Sequence, residues 1–320
     1  MFEKETIELY NNLRKESLKN IGDWMHSPVE DWKSDYFDKN FNEKNLINFR
    51  RTPLSEGLIS FPDRPLKYIP RPMSDCWFEG IPFWQKVRGI RDIILELYRL
   101  RSFFRFKFSE INDNLIGNPC CYKIGKTHVT SFSIKMFFYN KYIEKNFSDP
   151  NNINILEIGG GCGGICQKLF SSEKLDVNKY VLIELPEIIP LAYWYLKNSG
   201  LKVFSIIFDN DLKTLKEEKA PQNVFILAPW MLSKIDNNFD LFINTMSFNH
   251  MTKKNINYYF SEIDRLNVKN LFLVNRDTIR DPSDIKISDY PVPNKYQLLK
   301  EEKYPFSKHL IKIYKLRKNN

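Results

Sequence analysis

Residues 159–164 read Gly-Gly-Gly-Cys-Gly-Gly and follow directly on the apolar run Ile153-Asn-Ile-Leu-Glu-Ile158. A strand feeds a glycine turn, and Ile165-Cys-Gln-Lys-Leu-Phe170 then reads as the first turns of a helix. Such a turn holds a ligand against backbone. Glycine supplies positive φ angles and lets a ligand approach closer than any Cβ allows, while the helix start adds unpaired N–H groups. Two carboxylates accompany the turn. Glu157 precedes it, and Glu184 closes the next apolar run, Tyr180-Val-Leu-Ile-Glu-Leu185, 23 residues after Gly161. A carboxylate so placed can accept two hydrogen bonds from vicinal ribose hydroxyls. Leu185 is expected to lie beside it against the same ligand.

The turn satisfies two patterns. Gly159, Gly161 and Gly164 fit the G-x-G-x-x-G of dinucleotide binders. Glu157, Gly159, Gly161 and Gly163 fit the E/D-x-G-x-G-x-G of S-adenosylmethionine (SAM) methyltransferases. Glu157 separates the two: an anion just before the turn is awkward beside a pyrophosphate but suits a ligand with an ammonium and a sulfonium. SAM is the expected cofactor. A nicotinamide-dependent oxidoreductase is the alternative, and Tyr193 and Lys197 have the Tyr-x-x-x-Lys spacing of short-chain dehydrogenases. That pair sits on the second crossover helix, close behind Glu184, rather than after a later strand. Tyr193, Trp194 and Tyr195 are therefore read mostly as packing residues.

The elements that must position these groups follow from periodicity. From residue 154 onward, INILEI, YVLIEL, NVFILA, DLFINTMSF and NLFLVN alternate with helix-length segments, and HLIKIYKL comes last. Near-continuous β-branched and leucine runs are what a parallel sheet covered on both faces requires. The expected fold is α/β, a doubly wound, mostly parallel Rossmann-like sheet over residues 115–320. A mainly helical cap region would occupy residues 1–114, where X-Pro pairs such as Thr52-Pro53 and Ile69-Pro70 interrupt helical stretches. One helix there is marked by Val87, Ile90, Ile94, Leu97 and Arg101, with Lys86, Arg88, Arg99 and Arg105 on its other face. A second runs from Ser131 to Asn146, with Phe132, Met136, Phe137, Tyr139, Tyr142 and Ile143 as its apolar stripe, and Asp149-Pro150 stops it.

Composition excludes several classes. With 42% hydrophobic and 15% aromatic residues, 320 residues can bury a substantial core. No run approaches the ~20 apolar residues of a membrane helix, and the charged start MFEKETIELYNNLRKES is not a secretory signal. Five cysteines, an odd number, point to a reducing cytoplasm rather than to disulfides. The net charge of +9 permits a nucleic-acid partner without requiring one. Cys162 and Cys166 lack the second pair a zinc site needs, and Asp209 and Asp211 read as a solvated loop, so no metal ligand is assigned.

In combination, Ile183–Leu196 (IELPEIIPLAYWYL), Asn244–Met251 (NTMSFNHM), Val274-Asn-Arg276 and Ile116-Gly-Asn-Pro119 resemble the sugar O-methyltransferase family of bacterial polysaccharide and antibiotic gene clusters, over roughly residues 115–280. The resemblance implies SAM-dependent methylation of a carbohydrate hydroxyl, on a sugar, nucleotide-sugar or glycan. Nucleic-acid methylation is a further alternative, but the Asp/Asn-Pro-Pro-aromatic signature of amino-group methylation is absent: Asn244-Thr-Met-Ser stands in its place.

Methyl transfer to a hydroxyl needs in-line alignment and gains ~10²–10⁴-fold from a base that removes the acceptor's proton. His250, just beyond the fourth apolar run, is the histidine expected at the ligand-binding edge, and its near-neutral titration suits a general base. Asn275 and Arg276 end the fifth run on that edge; the arginine could hold a phosphate in a bidentate contact. Pro229 and Trp230, after the third run, are expected beside the adenine.

Overall fold

A computed structural model describes residues 2–19, 40–51, 83–119, 121–147, 151–217, 223–279 and 285–317. His26, the prolines between 52 and 72, and Asp149-Pro150 lie outside the described residues. The helices are α1 (Glu3–Lys19), α2 (Glu43–Ile47), α3 (Phe83–Phe103), α4 (Ser131–Asn146), α5 (Gly164–Phe170), α6 (Ile189–Asn198), α7 (Leu212–Glu217) and α8 (Lys253–Arg265). A small antiparallel hairpin pairs β1 (Tyr122–Ile124) with β2 (Thr127–Val129). The main sheet comprises β3 (Ile153–Ile158), β4 (Val177–Ile183), β5 (Lys202–Ile206), β6 (Asn223–Leu227), β7 (Leu241–Thr245), β8 (Asn270–Arg276), β9 (Tyr296–Lys303) and β10 (His309–Leu316).

Its eight strands run in the order β5-β6-β4-β3-β7-β8-β10-β9. Neighbours from β5 through β8 are parallel, and β10 is antiparallel to both β8 and β9. This is the doubly wound, mostly parallel α/β fold that the apolar runs imply. Strand order reverses at β3, with β4 on one side and β7 on the other, so a crevice opens at the carboxyl ends of these strands. The interior strands are buried along nearly their whole length, as a sheet covered on both faces demands.

Helix α4 starts and stops where its sequence says. Thr130 caps it, its hydroxyl oxygen accepting from Ser133 N at 2.9 Å. Helix α3 has the expected period but a rotated phase. Ile93, Glu96, Leu97 and Leu100 are buried, whereas Ile94, assigned to the core stripe, is 58% exposed and Tyr98 73% exposed. The apolar residues on this helix outnumber the places its one packed face offers, so contact with α4 decided which of them went inside.

Besides the β1–β2 hairpin, two strands of the main sheet escaped the sequence reading. β5 is a five-residue edge strand, and β9, Tyr-Gln-Leu-Leu-Lys-Glu-Glu-Lys, is the charged strand at the opposite edge. Charged edges deter further pairing and erase the apolar signal at the same time.

Within the N-terminal part a buried ion pair joins Arg50 to Asp113, and both reach Thr130 at the start of α4. The Arg50 guanidinium donates to Asp113 Oδ1 at 2.6 Å and Oδ2 at 2.8 Å, and reaches Thr130 Oγ1 at 3.3 Å. It also lies 4.6 Å above the ring of Phe132, the side chain that occupies the space a Cβ on Gly164 would need. Burial pushes the Asp113 carboxyl up, but the charge and hydrogen bonds of Arg50 outweigh burial and hold it below its ordinary value. Removing one member of such a pair strands the other charge in the interior. Asp113→Asn should therefore lower unfolding stability by ~3–5 kcal/mol, read as a shifted urea midpoint at unchanged slope.

Candidate functional site

The glycine turn is fastened to both neighbouring strands. Gly159 (φ 71°) donates its N–H to Ile183 O of β4 at 2.8 Å. On the other side, the Ser247 hydroxyl fills the position a Cβ on Gly159 would take, and it donates to Ile158 O at 3.1 Å. Position 160 is glycine for a different reason: a Cβ there would collide with the Glu157 carboxyl beneath it. Gly161 and Gly163 also have positive φ, 60° and 87°, and Gly163 caps α5 in the left-handed conformation.

Glu184 meets the turn directly. Its Oε2 accepts from Gly161 N at 2.7 Å and its Oε1 from Leu185 N at 2.9 Å, while its own N–H donates to Leu227 O at 3.1 Å. The 23-residue spacing is thus closed by one hydrogen bond between the ends of β3 and β4. Leu185 is half-buried beside it.

Glu157 differs from expectation. It is wholly buried beneath the turn, with Oε2 accepting from the Tyr180 hydroxyl at 2.6 Å and Oε1 without a hydrogen-bond partner among the described residues. Burial pushes its carboxyl up to about 8; the Tyr180 hydrogen bond opposes that shift, and the nearby Glu184 charge adds to it. The anion expected before the turn is therefore a neutral acid at pH 7, because no counter-charge offsets the cost of burial.

Pro229 is buried at the start of a short turn, Pro229–Lys234, that follows β6. Trp230 is half-buried and donates its indole N–H to Ile207 O at 3.4 Å, which ties this turn to the end of β5. Asp211 accepts from the backbone N–H groups of Ile207 and Phe208, and Asp209 pairs with Lys234. Among the described residues no group of three or more His, Cys, Asp or Glu is gathered as a metal would require. Burial pushes the Cys162 thiol up to about 12 and the Cys166 thiol well above its ordinary value, so both are inert.

Beyond β7 the chain turns through Met246, a non-glycine residue at φ 64°. Such backbone strain persists where surrounding structure enforces it. Here the Asn244 amide does so, donating to Ile158 O at 2.8 Å and to Ser247 Oγ at 2.7 Å. Asn275, expected to face a substrate, is fully buried and donates to Asn244 Oδ1 at 2.8 Å. It braces the turn from behind. Arg276, expected on the same edge, is buried as well: its backbone N–H donates to Asn249 Oδ1 at 2.7 Å and its Nη2 to Asn249 O at 3.1 Å. His250 ends the Phe248–His250 turn, exposed at the carboxyl edge.

Asn249 and His309 were missed by the sequence reading. Because Asn249 Oδ1 takes the Arg276 N–H, the Asn249 amide nitrogen faces His309 Nε2, at 3.0 Å. His309 Nε2 then accepts, and its ring proton rests on Nδ1, 2.6 Å from Ser307 Oγ. The only sequence signal was that His309 opens a strand; its pairing with Arg276 is what brings it to this edge.

Tyr193 and Lys197 are not at the edge. The Tyr193 hydroxyl donates to Glu5 of α1, Lys197 pairs with the same carboxylate at 2.9 Å, and the ammonium lies 4.5 Å from the Tyr193 ring. They join α6 to the N-terminal helix.

No known family model and no curated protein matches this chain. Among solved structures, it is similar to the magnesium protoporphyrin IX methyltransferase of Synechocystis PCC 6803 with bound SAH (11% identity, 61% of this chain and 91% of that one, TM-score 0.39). It is also similar to the pyocyanin biosynthetic protein PhzM (11%, 58% and 57%, 0.37). The rRNA methylase of Escherichia coli is a third (10%, 58% and 67%, 0.37). The chain thus spans little more than half the length of PhzM. Likeness of this extent carries no argument about activity, and the α/β assignment rests on the strand order itself.

The folded Glu157 holds its proton up to about pH 8, whereas an unfolded glutamate loses it near 4.5. Its contribution to stability is complete below the ordinary carboxylate range and is lost as pH rises toward 8, by about 1.4 kcal/mol per pH unit. Glu157→Gln should remove that slope, so the stability of the wild type minus that of the variant should fall as pH rises from about 5 to 8, by up to about 1.4 kcal/mol per unit in urea titrations.

Proposed function

We propose that this chain is a SAM-dependent methyltransferase whose acceptor is a carbohydrate hydroxyl. The observation that carries the cofactor reading is the Glu184 carboxylate set against Gly161 N–H at the point where strand order reverses. The residues fit such a ligand. The carboxylate has acceptor capacity for a ribose diol, the turn carries no Cβ at positions 159–161, and half-buried Leu185 and Trp230 offer apolar surface for a flat ring. SAM, when bound, supplies a methyl group on a positively charged sulfur. Glu184 fixes the nucleoside end, and the glycine turn lets the backbone approach the amino-acid end. His250, exposed at the neighbouring edge, takes the acceptor's proton as the new bond forms. Arg276, oriented by Asn249, anchors an anionic part of the acceptor such as a phosphate or carboxylate.

The sugar acceptor rests on the resemblance of residues 183–196, 244–251, 274–276 and 116–119. Residues 1–114 would form the cap over the acceptor. Against a nicotinamide enzyme stands the capture of Tyr193 and Lys197 by Glu5. No described helix is long and apolar enough to cross a membrane, which suits a diffusible or surface-presented acceptor equally.

Thermal-shift titration tests the cofactor. S-adenosylhomocysteine (SAH) at about 100 times its Kd should stabilise the protein by ~2.7 kcal/mol, and stabilisation by NAD alone would overturn the reading. Glu184→Ala should weaken SAM binding in calorimetry. His250→Ala should lower kcat by ~10²-fold or more with SAM affinity little changed. Glycans from cells with and without the protein should differ by one methylene unit in mass spectra.

A further inference from the structure

Helix α3 takes its glutamate inside and leaves large apolar side chains outside. Glu96 is buried, where the Ser131 hydroxyl donates to its Oε1 at 2.8 Å and the Lys135 ammonium lies 3.8 Å away. Ile94, Leu95 and Tyr98 are exposed, Leu95 by 43%. At 3.6 residues per turn they share one arc of the helix with Arg91, Arg99 and Arg101, which are exposed too, and that arc holds no acidic residue. Asp92, at its border, pairs with Arg91 at 2.9 Å. The Arg101 guanidinium stands 5.4 Å from the ring centroid of Phe108. Arg99, and Arg105 just past the helix end, have no acidic partner among the described residues. The β1–β2 hairpin repeats the composition: Lys123 and Lys126 flank an exposed Ile124 at its tip, and Tyr122 of the same hairpin lies within electrostatic reach of Asp92.

We propose that this face of α3, with the hairpin tip, docks the protein on a membrane surface whose lipid headgroups are anionic. Turning three large apolar side chains outward while a glutamate goes inside runs against the pattern of a helix that faces water. An anionic bilayer surface matches both kinds of residue on the arc. Guanidinium groups grip headgroup phosphates bidentately. Their stems, with Ile94, Leu95 and Tyr98, sink to the boundary with the acyl chains, a level that tyrosine favours. A nucleic acid would satisfy the cations but leave the aliphatic side chains against a charged backbone. A second copy of this chain, meeting the same face by two-fold symmetry, would set arginine against arginine. None of these residues belongs to the site at the carboxyl edge, so the docking surface does not depend on the cofactor reading.

Flotation of the whole protein with lipid vesicles tests this. Vesicles of phosphatidylcholine with about 30% phosphatidylglycerol should carry the protein at low salt, and ~0.5 M salt should release most of it. Vesicles of phosphatidylcholine alone should leave it behind. Arg99→Gln and Lys123→Gln should each weaken binding ~5-fold, and Ile94→Ser combined with Leu95→Ser by ~10-fold or more. These positions are exposed, so the urea midpoint should barely move. Lys303→Gln and Lys315→Gln, exposed on β9 and β10, are the controls and should bind nearly as the wild type does. An equal loss in the controls would mean that overall charge alone holds the vesicle, and would overturn the docking surface. So would absence of flotation with the anionic vesicles, equal flotation with neutral ones, or apolar variants that bind undiminished. A dimer in analytical sedimentation that the Ile94→Ser, Leu95→Ser variant dissolves would assign the face to a second copy and overturn the proposal as well.

Discussion

The hydrogen bond from Gly161 N–H to the Glu184 carboxylate is the constraint around which the site is organised. It joins the turn after β3 to the end of β4, so these two neighbouring strands present their ends as one surface beside the switch point. The rest of the turn follows from it. Gly159 must approach β4 closely enough to donate to Ile183, and its other side must admit Ser247 from β7. Three neighbouring strands therefore converge on a segment without side chains, and the absence of Cβ atoms is what lets them do so.

The surrounding polar residues divide into two bonded pairs. Asn244 and Asn275 lie inside and spend their amides on each other, on Ile158 O and on Ser247. They hold the strained Met246 turn against the glycine loop. Asn249 and Arg276 are buried too and bond to each other at the end of β8. Asn249 is the link between them: it orients Arg276 through two bonds and fixes which nitrogen of His309 carries the proton. His250, unlike His309, remains at the exposed end of the turn.

The N-terminal elements are joined to the sheet-bearing part near the same turn. Arg50 neutralises Asp113, Asp113 receives the Thr130 hydroxyl that caps α4, and Phe132 of α4 lies against Gly164 at the start of α5.

Local chemistry determined much of this from the chain alone. The glycine turn, the acid 23 residues beyond it, the bounds of Ser131–Asn146 and the last strand from His309 to Leu316 are legible because each depends on a residue's own backbone preferences or on its nearest neighbours. The phase of α3, the charged edge strand β9, the interior brace at Asn275 and the pairing of His309 with Asn249 were decided only by the folded protein. So was the neutral state of Glu157. Each of these depends on what stands across a gap in space: which face a helix finds to pack on, which strand brings its end alongside another, and whether a buried carboxyl meets a positive charge or an apolar wall.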